Sequence, residues 1–252
     1  YRDQAVFPGK EELPLVSIVC NFSPPGEKRP SLLSFQEVTT LFHEFGHALH
    51  GMLGRGKYPS LNGTHVHWDF VELPSQILEN WCYEEECLQL FARHYETNEL
   101  IPAEEIERIR QAANHMEGLQ TLRQLGFGML DMRWHHSAPK EEDLFALEAE
   151  VLKDVDLLGP QADAAISTAF SHIFQGGYAA GYYSYKWAEV LDADAFELFK
   201  ERGIFDAETA KRFRKILESG GQISPDELYR EFRGRDADPD ALLRRAGLLA
   251  ED

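Results

Sequence analysis

Apolar positions recur at helical spacing over most of this chain. No proline interrupts residues 35–53, Ser34 and Glu37 fit a capping box ahead of them, and Gly54 and Gly56 follow, so the pattern predicts one helix over 35–53. Upstream, the β-branched run 15–22 ends at Ser23-Pro24-Pro25-Gly26 and predicts a strand and a turn. After the glycine-punctuated stretch 54–63, alternation over 64–69 suggests a second short extended piece, followed by a helix from about Asp69 to about Tyr95 with Pro74 in its first turn. Beyond Pro102 the rhythm is helical almost throughout: about 103–134, 141–155, 164–174, then to about 201 and again over 206–219, with Gly220-Gly221 as a stop. A glycine- and tyrosine-rich stretch, 176–185, interrupts it. Ser224-Pro225 and Asp238-Pro239 each set a capping side chain before a proline and signal two short terminal helices. With no internal repeat, low-complexity tract or linker, the expectation is a single domain over 1–252, mainly α with a small β element.

Composition narrows the possible functions. Of 252 residues 43% are hydrophobic, enough for a substantial core. Against 25 basic residues stand 43 acidic ones, a formal charge of −18 that repels nucleic acid and anionic membranes and favours a neutral or basic partner such as a peptide. Cys20, Cys82 and Cys87 are an odd number with no zinc-ribbon or redox spacing, which predicts free thiols in a reducing cytoplasm. No stretch approaches the ~20 apolar residues of a membrane span, and no secretory signal is seen. The first residue is Tyr1, so a fragment of a longer chain is expected.

The chemistry concentrates in His43-Glu44-Phe45-Gly46-His47 on the first predicted helix. Four residues turn through about 400°, so His43 and His47 project from one face, one turn apart, and both rings can reach one zinc ion. Glu44 points about 100° away, too far round to ligate but within reach of a water on the metal, the position of a general base. The plain alternative is an amphipathic core helix with packed or solvated histidines. A catalytic zinc takes three protein ligands and leaves one position open. His50 shares the face, but three side chains of one straight helix line up along its axis rather than close around a tetrahedral centre. The extended pattern with a third histidine fails, because positions 50 and 53 are His50 and Leu53. Glu72 and Glu79 remain, seven residues apart and on one face of the next predicted helix. One would ligate the metal and the other would hold the free ring N–H of a ligating histidine; spacing does not decide between them.

These residues, with the run Asp69-Phe70-Val71-Glu72-Leu73-Pro74-Ser75-Gln76-Ile77-Leu78-Glu79-Asn80-Trp81 and the segment His172-Ile173-Phe174-Gln175-Gly176-Gly177-Tyr178 through Tyr182-Tyr183-Ser184-Tyr185, resemble the thimet-type zinc oligopeptidases, the bacterial oligopeptidase A group above all. The resemblance implies a zincin catalytic domain of the gluzincin kind with one Zn²⁺ per chain. In it His43, His47 and Glu72 would be the ligands, Glu44 the base and Glu79 the group behind a ligating histidine. It further implies that His172, Tyr178 and Tyr185 act at the substrate carbonyl and that Tyr182, Gly176 and Gly177 bind substrate. The expected substrates are short peptides, and the expected partner is the N-terminal helical half of the chain's own full-length protein. Two alternatives follow: an inert peptide-binding half lacking its other channel wall, or a related dipeptidyl or carboxypeptidase. His67 and Trp68 stand where such enzymes often carry other residues.

Overall fold

A computed structural model describes residues 2–7, 10–136, 143–159 and 163–249, with the side chains of 6–11 left undescribed. The architecture is helical. Paired strands among the described residues are limited to β1 (Ala5–Phe7) and β2 (Lys10–Glu12), antiparallel with Ala5 opposite Glu12. The strand expected over 15–22 is not seen: beyond one isolated bridge between Arg2 and Leu15, that run has no strand partner among the described residues to satisfy its backbone. The extended piece expected at 64–69 ends instead in a 3₁₀ turn, Trp68–Phe70.

Helix α1 spans Phe35–Leu53, and its start is set as the sequence predicts: Ser34 Oγ accepts from Glu37 N while Glu37 accepts from Ser34 N at 2.7 Å. Two backbone N–H groups, from Ser34 and Ser23, hold the Glu37 carboxyl down at about 2. The helix expected over 69–95 is broken into α2 (Leu73–Glu79), a 3₁₀ turn over Asn80–Tyr83, and α3 (Glu85–Phe91). Pro74 sits in the first turn of α2, where its missing N–H costs nothing. The region 103–134 divides into α4 (Ala103–Ala113) and α5 (Glu117–His135) at Met116, whose φ is +58°. Helix α6 is Leu144–Leu152, and residues 141 and 142 of the expected segment lie outside the described residues. The span 164–174 is a 3₁₀ turn and the four-residue α7 (Ser171–Phe174) rather than one helix. Then follow α8 (Ser184–Arg202), α9 (Ala207–Ser219, capped by Asp206), α10 (Pro225–Arg233) and α11 (Pro239–Arg245), close to their predicted bounds.

The core gathers around α8. Leu191, Ala195, Phe196 and Phe199 pack with Phe70, Leu73 and Ile77 on one side and with Phe213, Ile216, Leu228 and Phe232 on the other. Two buried aspartates on α8 are matched by the C-terminal helices. Asp194 accepts from Tyr229 Oη at 2.6 Å and from Arg233, and Asp192 is paired with Arg245 and with Asn80 Nδ2 at 2.9 Å. Buried charges survive only when so matched. Against this block α1 lies on α2, and Gly46 is the point of closest approach. No helix among the described residues is long and apolar enough to cross a membrane.

Candidate metal centre

Helix α1 delivers His43 and His47 one turn apart, their rings 5.0 Å centre to centre and nearly perpendicular. The turn before α2 delivers Glu72, which is 3% exposed. Glu72 Oε2 lies 3.4 Å from His43 Nε2 and 3.2 Å from His47 Nε2. Two donors each about 2.0–2.1 Å from a tetrahedral zinc stand roughly 3.3 Å apart, so these separations suit one ion between them. Among the described residues this trio forms a group able to hold a metal, with its ligand atoms all within 4.8 Å of one another. The donor set, two imidazoles and a carboxylate, is chemistry that zinc accepts.

The surroundings orient each donor. Glu79 Oε1 sits 2.7 Å from His43 Nδ1 and accepts the N–H of that nitrogen, so that Nε2 is the ring atom turned toward Glu72. Burial works against a charge on His43, but the hydrogen bonds to Glu72 and Glu79 outweigh it and hold its pKa up at about 10. Burial likewise opposes ionisation of Glu72, and contacts from His43, His47 and Tyr178 reverse that and keep it a carboxylate. Ser75 Oγ donates to Glu72 Oε2 at 3.0 Å. Glu79→Gln is expected to keep the fold and weaken zinc binding by about 10–100-fold, measured by competition with a chromogenic chelator. His50, the rival on the same face, is fully buried outside this trio with neither ring nitrogen partnered among the described residues; burial, aided by His47, lowers its pKa to about 4.

The aromatic segment faces Glu72 from the other side. Tyr178 Oη donates to Glu72 Oε1 at 2.5 Å, and burial together with that bond pushes its phenol far up, so it stays a donor. Tyr185 stacks on Tyr178 at 4.9 Å, and its own phenol is pushed up to about 12, mainly by burial; the charges of Glu72 and Glu44 add to the shift. Glu44 is thereby placed within electrostatic reach of the same phenol. The exposed ring of His172 lies 6.1 Å from that of Tyr178 and 6.4 Å from that of Tyr185. Tyr182 donates its hydroxyl to Gln124 at 3.1 Å, and its ring packs on Phe127 and Phe170 and lies 5.2 Å from that of Tyr185 and 6.2 Å from that of His172. Gly176 and Gly177 are exposed, and Gly177 has a φ of +86° suited to its lack of Cβ.

Sequence reasoning missed one residue here, Asp131, and noted another, Trp68, without giving it a contact. Asp131 of α5, wholly buried, accepts the backbone N–H of Ala180 and of Tyr182, each at 2.8 Å, and contacts His135 Nδ1 at 2.7 Å. It pins the tyrosine segment from behind, and no local pattern announces it. Trp68 packs on Tyr178 at 5.0 Å and covers Gly181, where an added Cβ would come within 2.8 Å of the indole.

Two histidines of one helix and the buried glutamate that follows converge on one point in a helical block, an arrangement able to hold a metal ion. The chain belongs to peptidase family M3, whose sequence profile matches residues 2–248. That family is zinc-dependent in general. Oligopeptidase A of Haemophilus influenzae is 46% identical over 245 residues, covering 96% of this chain and 36% of its own length. Oligopeptidase A of Escherichia coli is 46% identical over 244 residues, 95% of this chain and 36% of its own. Dipeptidyl carboxypeptidase of Escherichia coli is 39% identical over 242 residues, 93% and 35% respectively. The chain thus spans about a third of the length of the curated relatives it matches.

Proposed function

We propose that residues 1–252 form the C-terminal catalytic domain of a zinc-dependent oligopeptidase that hydrolyses peptide bonds in short peptides. One observation carries the reading: the buried Glu72 carboxylate meets both histidine Nε2 atoms at separations suited to a single tetrahedral zinc. Zinc bound there supplies a polarised carbonyl and a water of lowered pKa. His43, His47 and Glu72 hold the ion, and Glu79 fixes the His43 ring. Glu44 accepts the proton of the attacking water and returns it to the leaving amine. Tyr185 keeps its phenol proton and presents it, with His172, toward the side where charge develops on the carbonyl oxygen, and Tyr178 joins them by exchanging its bond to Glu72 for one to that oxygen. The remainder of the full-length chain would form the facing wall that admits only short peptides. The three cysteines, all free and two of them buried, fit a reducing cytoplasm.

The test couples metal to turnover. Purified protein is expected to carry one zinc per chain by elemental analysis, and chelation is expected to abolish cleavage of a blocked short peptide, with stoichiometric zinc restoring it. Full activity in metal-free protein would remove the proposal. End-product analysis of the blocked peptide separates endopeptidase cleavage from release of a C-terminal dipeptide, the reading suggested by the likeness to dipeptidyl carboxypeptidase.

A further inference from the structure

A cavity of about 440 Å³ opens beside the metal centre, with Tyr185 forming part of the wall between them. Its polar lining includes Gln76, Glu117, Gln124, Lys186 and Glu189. Three features define what it would hold. First, its charges do not cancel: Lys186 is tied to Glu189, whereas Glu117 has the Thr121 hydroxyl at 3.1 Å and forms no ion pair among the described residues. The carboxylate of Glu117 is therefore the uncompensated charge of the wall. Second, the Gln76 amide is oriented by donating its Nε2 to Tyr185 O at 3.3 Å, and its buried Oε1 has no donor among the described residues. A buried acceptor left without a donor is costly, and a ligand bearing N–H groups relieves it. Third, the Gln124 oxygen already takes the Tyr182 hydroxyl, so the cavity is wired to the tyrosine segment.

We infer that this cavity is a specificity subsite for a basic side chain of the peptide substrate, arginine above lysine, with Glu117 as its counter-charge and Gln76 Oε1 as a further acceptor. The inference rests on the peptidase reading and adds to it the kind of peptide preferred. Acceptors spread around a cavity suit the planar five-donor guanidinium better than the compact ammonium. The overall charge of −18 draws cationic peptides in the same sense.

The experiment uses the zinc-loaded protein at its full natural length and blocked peptides that differ at one position, carrying Arg, Lys, Gln, Ala or Glu, with that position moved along both sides of the cleaved bond. At one position kcat/KM for Arg is expected to exceed that for Gln by about tenfold, with Glu lowest, because one charge-assisted contact is gained. Glu117→Gln should bring the Arg-to-Gln ratio toward one, and Glu117→Lys should invert the order of Arg and Glu. Ratios within about twofold of one at every position in the unaltered protein, or a preference that both Glu117 variants leave intact, overturn the subsite while the peptidase reading stands on cleavage of the Ala peptide. Failure to cleave any of the peptides removes both.

Discussion

Glu44→Gln is expected to lower kcat/KM on a short blocked peptide by about 10³-fold while zinc content, secondary structure and melting temperature stay as they were. The substitution keeps the shape of the side chain and removes its capacity to take up a proton. Glu44 is half-buried on α1, outside the trio of His43, His47 and Glu72, so no donor to the ion is lost. Its charge adds to the upward shift of the phenol of Tyr185, one of the two stacked phenols beside Glu72. Activity within about threefold of the unaltered protein would take Glu44 out of the base role, and loss of zinc together with activity would mean that it serves the metal instead.

Gly46→Ala is expected to destabilise the fold and to weaken the zinc site together. Elsewhere in a helix the change would be favourable by about 1 kcal/mol, since alanine is the better helix former. Here the added Cβ would stand 2.2 Å from Pro74 O, 2.5 Å from Ser75 Cα and 2.8 Å from Pro74 C. All three are backbone atoms of α2 and cannot swing aside, so α1 and α2 must separate. Overpacking of this kind costs about 1–3 kcal/mol, and contacts this short lie at the upper end, so the clash wins by about 2 kcal/mol. The same separation carries Glu72, in the turn that leads into α2, away from the two rings. Urea unfolding of the metal-free protein reads the first effect, and a zinc titration reads the second. An unchanged urea midpoint with unchanged zinc affinity would show that the two helices are not held as close as described.

What the sequence made legible was whatever short-range chemistry decides. The capping box at Ser34 and Glu37 fixes the start of α1, and Asp238 before Pro239 caps α11 through Asp240 N; at α10 Pro225 opens the helix as expected, but the Ser224 side chain caps no backbone N–H. The pairing of His43 with His47 follows from helical periodicity alone. Partners far along the chain decide the rest. The run 15–22 has strand composition but no strand beside it among the described residues. The helix expected to reach Tyr95 breaks at Asn80, whose amide bonds back to Ile77 O and across to Asp192 while Arg245 takes its oxygen. Glu72 and Glu79 are equivalent by spacing. The fold separates them by giving one ring nitrogen of His43 to each, with Glu72 alone buried against both histidines. Asp131 was invisible for the same reason: its partners are two main-chain amides 49 and 51 residues away.

That aspartate decides which part of the framework the phenols belong to. Chain connectivity joins the tyrosine turn to α8, but Asp131 anchors its main chain to α5, which packs chiefly against α6. Tyr185 stands in the first turn of α8, which packs on α2, whereas the segment of Tyr178 is held from α5 and meets the metal ligands through its bond to Glu72. A disturbance on the remote side of α5 is therefore felt as a change of reach at the Tyr178 hydroxyl before it is felt at the histidines.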